Sequence, residues 1–527
     1  MTRDFHFPGR SVALGTRYAA ATSHQLSTLV AMEVMAGGGN ALDAAVAASA
    51  LLGVVEPLSV GIGGDTFVLY WSAREKKLHG FNGSGWAPEG LSLDWLKSQG
   101  IASIGGDSVH SANIPGAVRS WEVLLRKFGS KPLGDLLQPA IDAARHGFPV
   151  PERSASDWIA HEKRLGANAG SRAQYLVEGK APRTGYLLKM PLLANTLEAI
   201  AQGGADAFYT GPIARSMVQT LNEAGGRHTL ADFAEWQPKF VEPVRVNYRG
   251  LDVFQIPPNG QGLTASMMLN ILSGFEHSGL DPAGTERFHL QIEAYRLAAA
   301  ARDAYIADPE QADVPIQAMI SEGFADRMRA RIDLKHAMSD PVVEPIGPND
   351  TIYLTTADAE GNFCSFISSI AGGFGSAITC ARTGVLFQNR GTGFSMNPAH
   401  PNALAPRKRS LHTIIPGFVL KDGAPFLSYG VMQGNYQPIG QVQVLQNIVD
   451  FGMDVQQAID MGRGMRTPRG FEAERSIPAA TLAGLGALGH PVVTAGLPYG
   501  GAQAIMPVDG VLHAGTDPRK DGAALAR

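Results

Sequence analysis

The hydrophobic pattern of this chain changes period several times. "HQLSTLVAMEVMAGGGN" (24–40) has helical spacing and stops at a glycine run and Asn40, which are helix-ending residues. "ALDAAVAASALLGVVEP" predicts an alanine-rich helix ended before Pro57, with a small-residue face suited to packing on a sheet. "SVGIGGDTFVLYWS" (59–72) is a glycine turn leading into a β-rich run, and "KLHGFNGSGWAP" is its hairpin partner. Helices are predicted over 113–129 and 133–150, followed by a polar, broken helical stretch over 151–240. "VEPVRVNYRGLDVFQIPP" (241–258) reads as two strands around a Tyr-Arg-Gly turn. The clearest helical pattern spans 285–309, and 310–350 reads as a loose, proline-spotted connector.

From Thr351 onward the texture changes. "TIYLTTADAEGNFCSFISSI" reads strand, turn, strand, with Asp358-Ala359-Glu360-Gly361-Asn362 as the turn. "GVLFQNRG" and "IIPGFVLKDGAPFLSYGV" predict further strands, 437–452 and "DVQQAIDMGRG" predict helices, and 490–515 returns to short strands. Helices and strands flank a segment rich in antiparallel strands. That order fits an α+β helix–sheet–sheet–helix sandwich better than a parallel βαβ array.

Composition narrows the function classes. The 527 residues call for one large multilayer domain or two domains. Apolar content of 45%, charge of 17% and a net charge of −4 describe an ordinary globular enzyme without a nucleic-acid footprint. The N-terminus lacks the apolar core of a secretory signal, and 41–55 is too short for a bilayer span and carries Asp43, so a cytoplasmic location with no membrane partner is expected. Cys364 and Cys380 are the only cysteines, which gives neither a disulfide framework nor metal spacing. "NGS" at 82–84 reads as a turn rather than a glycan acceptor.

No P-loop, HExxH or GxSxG motif occurs. "VGIGGD" precedes a strand, whereas the dinucleotide fingerprint must follow one, and the 14 histidines show no ligand-pair spacing. No metal or cofactor is therefore expected. Thr351 is different. A threonine hydroxyl needs a base, and cutting the chain just before it supplies one as a new α-amine, whose unperturbed pKa is about 7.7–8.0. "GPNDTIYL" puts Thr351 at a turn-to-strand junction. Glycine turns at 369–376 and 428–438 can aim backbone N–H groups at one point, as an acyl-transfer oxyanion requires. Asn389 and Arg390 end one predicted strand, and Arg407, Lys408, Arg409 and His412 precede another. Cationic groups there suit an anionic substrate.

Taken together these blocks resemble the γ-glutamyltransferase (γ-glutamyltranspeptidase) family of N-terminal-nucleophile hydrolases over nearly the whole chain. "GGGNALDAAVAASALLGVVEPLSVGIGGDTFVLY" looks like the family's opening block, and "DTIYLTTADAEGNFCSFISSIAGGFGS" like its nucleophile segment. The resemblance implies a four-layer αββα sandwich and a proenzyme that cuts itself between Asp350 and Thr351. Residues 1–350 would form a large segment and 351–527 a small one, joined as a heterodimer, with a dimer of these heterodimers left open. It implies Thr351 as nucleophile and base, Ser369 as a nearby hydroxyl, and Gln433 and Gly434 at the oxyanion turn. The departures bear on substrate. "NGSGWAP" has Ser84 near the place of the family's carboxylate-binding arginine and no arginine, no acid follows in Arg390-Gly391-Thr392-Gly393, and the paired serines are absent from "KRSLHTIIP". This pattern resembles the branch containing oxamate amidohydrolase and cephalosporin-acylase-like enzymes. It implies a small acidic amide as substrate, with Asn389, Arg390, Arg409 and His412 as candidate carboxylate-binding residues. True γ-glutamyl transfer is the alternative. An inactive binding protein is a second alternative, which an intact Thr351 disfavours.

Overall fold

The computed structural model describes residues 9–339 and 350–527. Two seven-stranded sheets face each other. One runs, edge to edge, Ala523–Ala526, Ala19–Thr22, Ile352–Ala357, Phe363–Ser369, Asp65–Ser72, Lys77–Gly83, Lys239–Val241. The other runs Ala13–Gly15, Val511–Thr516, Ala502–Val508, Ala424–Val431, Gly417–Lys421, Leu251–Gln255, Val244–Tyr248. Every pairing within them is antiparallel. Helices Gln25–Ala36, Ala41–Val55 and Ala117–Phe128 cover the first sheet, and Gly262–Leu272, Gln437–Val449 and Val455–Asp460 cover the second. The architecture is the expected four-layer αββα sandwich. No helix among the described residues is long and apolar enough to cross a membrane.

The strand Ile352–Ala357 lies inside its sheet, between Ala19–Thr22 and Phe363–Ser369. Its hairpin turn is closed by Asp358, whose carboxylate accepts from the Glu360 and Asn362 backbone N–H groups at 3.0 Å, while Gly361 supplies the positive φ of 84°. The same carboxylate accepts from Ala41 N at 2.9 Å, and Thr356 Oγ1 donates to Ala41 O at 2.6 Å. These bonds tie the hairpin to the start of helix Ala41–Val55. That helix opens with a capping box between Asn40 and Asp43, a device worth about 1 kcal/mol. All fifteen of its residues are buried, so its alanines let it lie close on the strands that carry the site.

The two sheets meet through both apolar and polar contacts. Thr355 Oγ1 lies 2.7 Å from Ser428 Oγ, and Ser365 Oγ donates to Gly417 O at 2.9 Å. Gly430 passes under the Tyr353 ring, where a Cβ would fall 2.4 Å from ring carbons. A larger residue at that position would push the sheets apart.

Glu56 ends helix Ala41–Val55 and is fully buried, with Ser23 Oγ donating to Oε2. Burial pushes its carboxyl up to about 7, against smaller lowering effects from Ser23 and Lys520. The folded state therefore keeps a proton that the unfolded chain loses above about pH 4.5. This contribution to stability is complete below that pH and is lost as pH rises through about 7, amounting to roughly 3 kcal/mol. Glu56→Gln is expected to remove it. The Tm of the natural protein should fall relative to that of the variant between pH 5 and 8, and parallel Tm-versus-pH curves would contradict the assignment.

Some elements differ from expectation. "GVLFQNRG" is not a regular strand. Its N–H groups go to scattered carbonyls, Phe387 to Ile378, Gln388 to Gly63 and Asn389 to Ile370, so it is locked without a ladder. The connector expected over 310–350 contains helices Ile316–Met319 and Glu322–Arg329, and residues 340–349 lie outside the described residues. The helix expected over 133–150 ends at His146, where Gly147 takes φ 98°.

Candidate active site

Strand register builds the centre of the site. Pairing of Ile352 with Ser368 and of Ser369 with Asp65 carries Thr351 to the open end of its hairpin, opposite Ser369. Thr351 is completely buried. Its Oγ1 lies 2.7 Å from the Asp350 carbonyl oxygen and 3.4 Å from Ser369 Oγ. Ser369 Oγ donates to the same Asp350 oxygen at 2.7 Å and accepts from Ala371 N at 2.8 Å. Two hydroxyls thus converge on the carbonyl of the Asp350–Thr351 bond. A third group reaches this hydroxyl, since Gln437 Nε2 donates to Thr351 Oγ1 at 3.3 Å.

The turn after strand Ala424–Val431 faces the same place. Gln433 is left-handed (φ 83°) and Gly434 follows at φ 46°. Neither of their backbone N–H groups donates to another described group, while the turn itself is held from outside. Gln261 Nε2 donates to Gly434 O at 2.9 Å and to Thr413 O at 2.8 Å. Arg302 in turn donates to Gln261 Oε1 at 3.1 Å and Asn435 Oδ1 at 3.2 Å. Two fixed backbone donors lining the same cavity as Asp350 are of the kind that can stabilise an oxyanion. Asp350, Gln433 and Gly434 line a cavity of about 730 Å³, with Leu58, Met465 and Tyr499 among its apolar walls and Arg153, Arg469 and Lys520 among its cations.

The four expected carboxylate-binding residues are not alike. Asn389 spans Gly372 N (2.7 Å) and Gly106 O (3.1 Å) and shapes the loop after Ser369. Arg409 is taken up by Glu310 (3.0 Å), Ser84 O (3.2 Å) and Gln237 O (3.3 Å). His412 has Nε2 at 2.7 Å from Asp65 Oδ2 and Nδ1 at 2.8 Å from Ser410 O. Burial, then the Arg390 charge, hold its pKa below the usual imidazole range. These three side chains are all engaged with protein groups. Arg390 is the exception. It is buried, and its NH1 donates to Thr413 Oγ1 at 3.0 Å, but among the described residues Nε and NH2 have no partner. Burial lowers its pKa to about 10 despite nearby Asp65, whose own oxygens already accept from Gly85 N, Gln388 and His412.

Sequence reading missed Gln437, Gln261 and Arg302. The signal for the first lay in "QPIGQVQVLQ", whose glutamines at 437, 441, 443 and 446 are all buried in one helix, where isolated amides are costly. It also missed that His289, Glu293 and His490 come together. Hydrogen bonds already account for that group. His289 reaches His490 at 2.7 Å and Asp333 O at 2.8 Å, while Glu293 accepts from Arg296 and Met338 N at 3.0 Å. It anchors the segment preceding 340.

Known proteins share this fold. The profile of the gamma-glutamyltranspeptidase family matches residues 27–527. The chain is 36% identical to the glutathione hydrolase-like YwrD proenzyme of Bacillus subtilis, covering 97% of this chain and 99% of that one. It is 31% identical to the oxamate amidohydrolase proenzyme of Klebsiella pneumoniae, covering 97% and 98%. The crystal structure of cephalosporin acylase from Bacillus halodurans superposes with a TM-score of 0.93 at 37% identity, covering 100% and 99%. The chain belongs to the gamma-glutamyltranspeptidase family and is an enzyme of its N-terminal-nucleophile hydrolase fold.

Proposed function

We propose that the protein is a self-cleaving amidohydrolase that cuts the amide bond of a small acidic amide, oxamate-like or a dicarboxylic acid monoamide, through an acyl group on Thr351. The convergence of Thr351 Oγ1 and Ser369 Oγ on the Asp350 carbonyl oxygen, both at 2.7 Å, carries this reading. Attack of Oγ on the Asp350 carbonyl carbon breaks the Asp350–Thr351 C–N bond and forms an ester. The Ser369 hydroxyl is aimed at the oxygen that becomes negative. Water then cleaves the ester, leaving residues 1–350 with a carboxylate and Thr351 with a free α-amine.

In the processed enzyme that amine takes the Oγ proton as Oγ attacks the substrate amide. The Gln433 and Gly434 N–H groups receive the oxyanion, the proton passes to the departing amine, and water releases the acid. The unpartnered Nε and NH2 of Arg390 suit the substrate carboxylate. A γ-glutamyl amide is the second reading, favoured by the name of the B. subtilis relative. It carries an α-ammonium as well, for which Arg390-Gly391-Thr392-Gly393 offers no carboxylate.

A panel of oxamate, glutaryl-p-nitroanilide and γ-glutamyl-p-nitroanilide tests this order. One of the two substrates lacking the ammonium is expected to have the highest kcat/KM. Turnover of the γ-glutamyl substrate alone would reverse the order.

A further inference from the structure

The amide of Gln437 has its orientation fixed. Ile415 N donates to Gln437 Oε1 at 3.0 Å, which turns Nε2 toward Thr351 Oγ1. Reversing the amide would set the Ile415 N–H against an NH2 group, and a buried donor without an acceptor is strongly disfavoured. Gln437 is completely buried and opens the helix Gln437–Val449, so neither its backbone nor its side chain has an easy alternative.

A fixed donor on Oγ is unhelpful to attack, because it occupies a lone pair of the nucleophile. Its value lies in the opposite step. When water attacks an ester on Thr351, the C–Oγ bond breaks and its electron pair goes to Oγ, which holds negative charge until a proton arrives. A donor at 3.3 Å shortens and strengthens as that charge grows.

We propose that Gln437 is a catalytic residue, whose Nε2–H stabilises Thr351 Oγ as a leaving group. This rests on the reading of Thr351 as nucleophile. The step occurs twice in the life of the protein. In self-cleavage, water adds to the Asp350 ester, the C–Oγ bond breaks, and Oγ takes a proton, leaving Asp350 as a carboxylic acid that ionises. In turnover, water adds to the substrate acyl ester, the same bond breaks, Oγ is reprotonated by the α-ammonium, and the acid departs. Both steps consume one water and need no other reactant.

The test uses the full chain with Gln437→Leu and Gln437→Glu. The first removes the donor at similar volume. The second keeps the acceptor for Ile415 N but removes the N–H toward Oγ. Both are expected to accumulate the Asp350–Thr351 ester, read as a full-length chain that hydroxylamine splits into two fragments. Fragments formed at the natural rate, or a full-length chain that resists hydroxylamine, would overturn the proposal. For material that has split, steady-state hydrolysis of glutaryl-p-nitroanilide gives a second readout. The expected result is a fall of about 10²–10³-fold in kcat, with KM falling in proportion and an acyl adduct on the Thr351 fragment in acid-quenched mass spectra. A fall in kcat/KM equal to that in kcat, with no adduct, would reduce Gln437 to packing. Failure of the underlying reading looks different, because there Thr351→Ala itself would split.

Discussion

Thr351→Ala is expected to yield one uncut 527-residue chain with no measurable amidase activity. The substitution removes the hydroxyl that the proposed mechanism uses to attack the Asp350 carbonyl, 2.7 Å from its oxygen, and it also prevents formation of the threonine α-amine and hydroxyl pair that would serve as base and nucleophile. Loss of a nucleophile that acts as a unit with its base costs at least about 10⁴-fold in kcat. The fold should survive. Thr351 contributes hydroxyl contacts to Asp350, Ser369 and Gln437, while the strand Ile352–Ala357 keeps both neighbours. A denaturing gel and intact mass decide the matter. A variant that still splits between 350 and 351 would show that some other group attacks. Thr351→Ser, which keeps both hydroxyl and amine, should still split.

Much of this scaffold was legible in the sequence because it depends on local chemistry. The alanine-rich run 41–55 could only be a helix buried against a sheet, and the Asp358–Asn362 turn announced its hairpin through Gly361 and the acceptor side chain of Asp358. That hairpin alone brings Thr351 and Ser369 together, so this pair was within reach of sequence reasoning. The order of the sheets was not. Strand Ile352–Ala357 pairs with Ala19–Thr22 across more than three hundred residues, and no local pattern encodes such a choice.

The chemistry of individual cations was equally hidden. Arg409 and Arg390 look alike in sequence, but Glu310 and two carbonyls consume the first, whereas two nitrogens of the second go unpartnered. His412 reads as a free imidazole until Asp65, distant in sequence, closes on it at 2.7 Å. Gln437 was invisible for the same reason. Its meaning depends on Ile415 N fixing one end of the amide and Thr351 receiving the other.

Arg390 should therefore show opposite effects on activity and on stability. Among the described residues its buried guanidinium has one hydrogen bond, from NH1 to Thr413, with Nε and NH2 unpaired, and its lowered pKa reflects the cost of that burial. A substrate carboxylate would supply the missing acceptors. Truncating one side of such a desolvated pair typically costs about 2–5 kcal/mol. Arg390→Leu is thus expected to lower kcat/KM for an acidic amide by roughly 10²–10³-fold. The same change removes a buried, incompletely paired charge and fills the space with apolar atoms, so the Tm of the unliganded variant should match or exceed that of the natural protein. Self-cleavage should be unaffected, because among the described residues Arg390's guanidinium hydrogen-bonds to Thr413 and not to Asp350, Thr351 or Ser369. Kinetics on an acidic amide and its neutral methyl ester give the sharpest check. The variant should lose its preference for the acid. Equal losses on both compounds, or a large drop in Tm, would mean that Arg390 supports the fold rather than gripping the substrate.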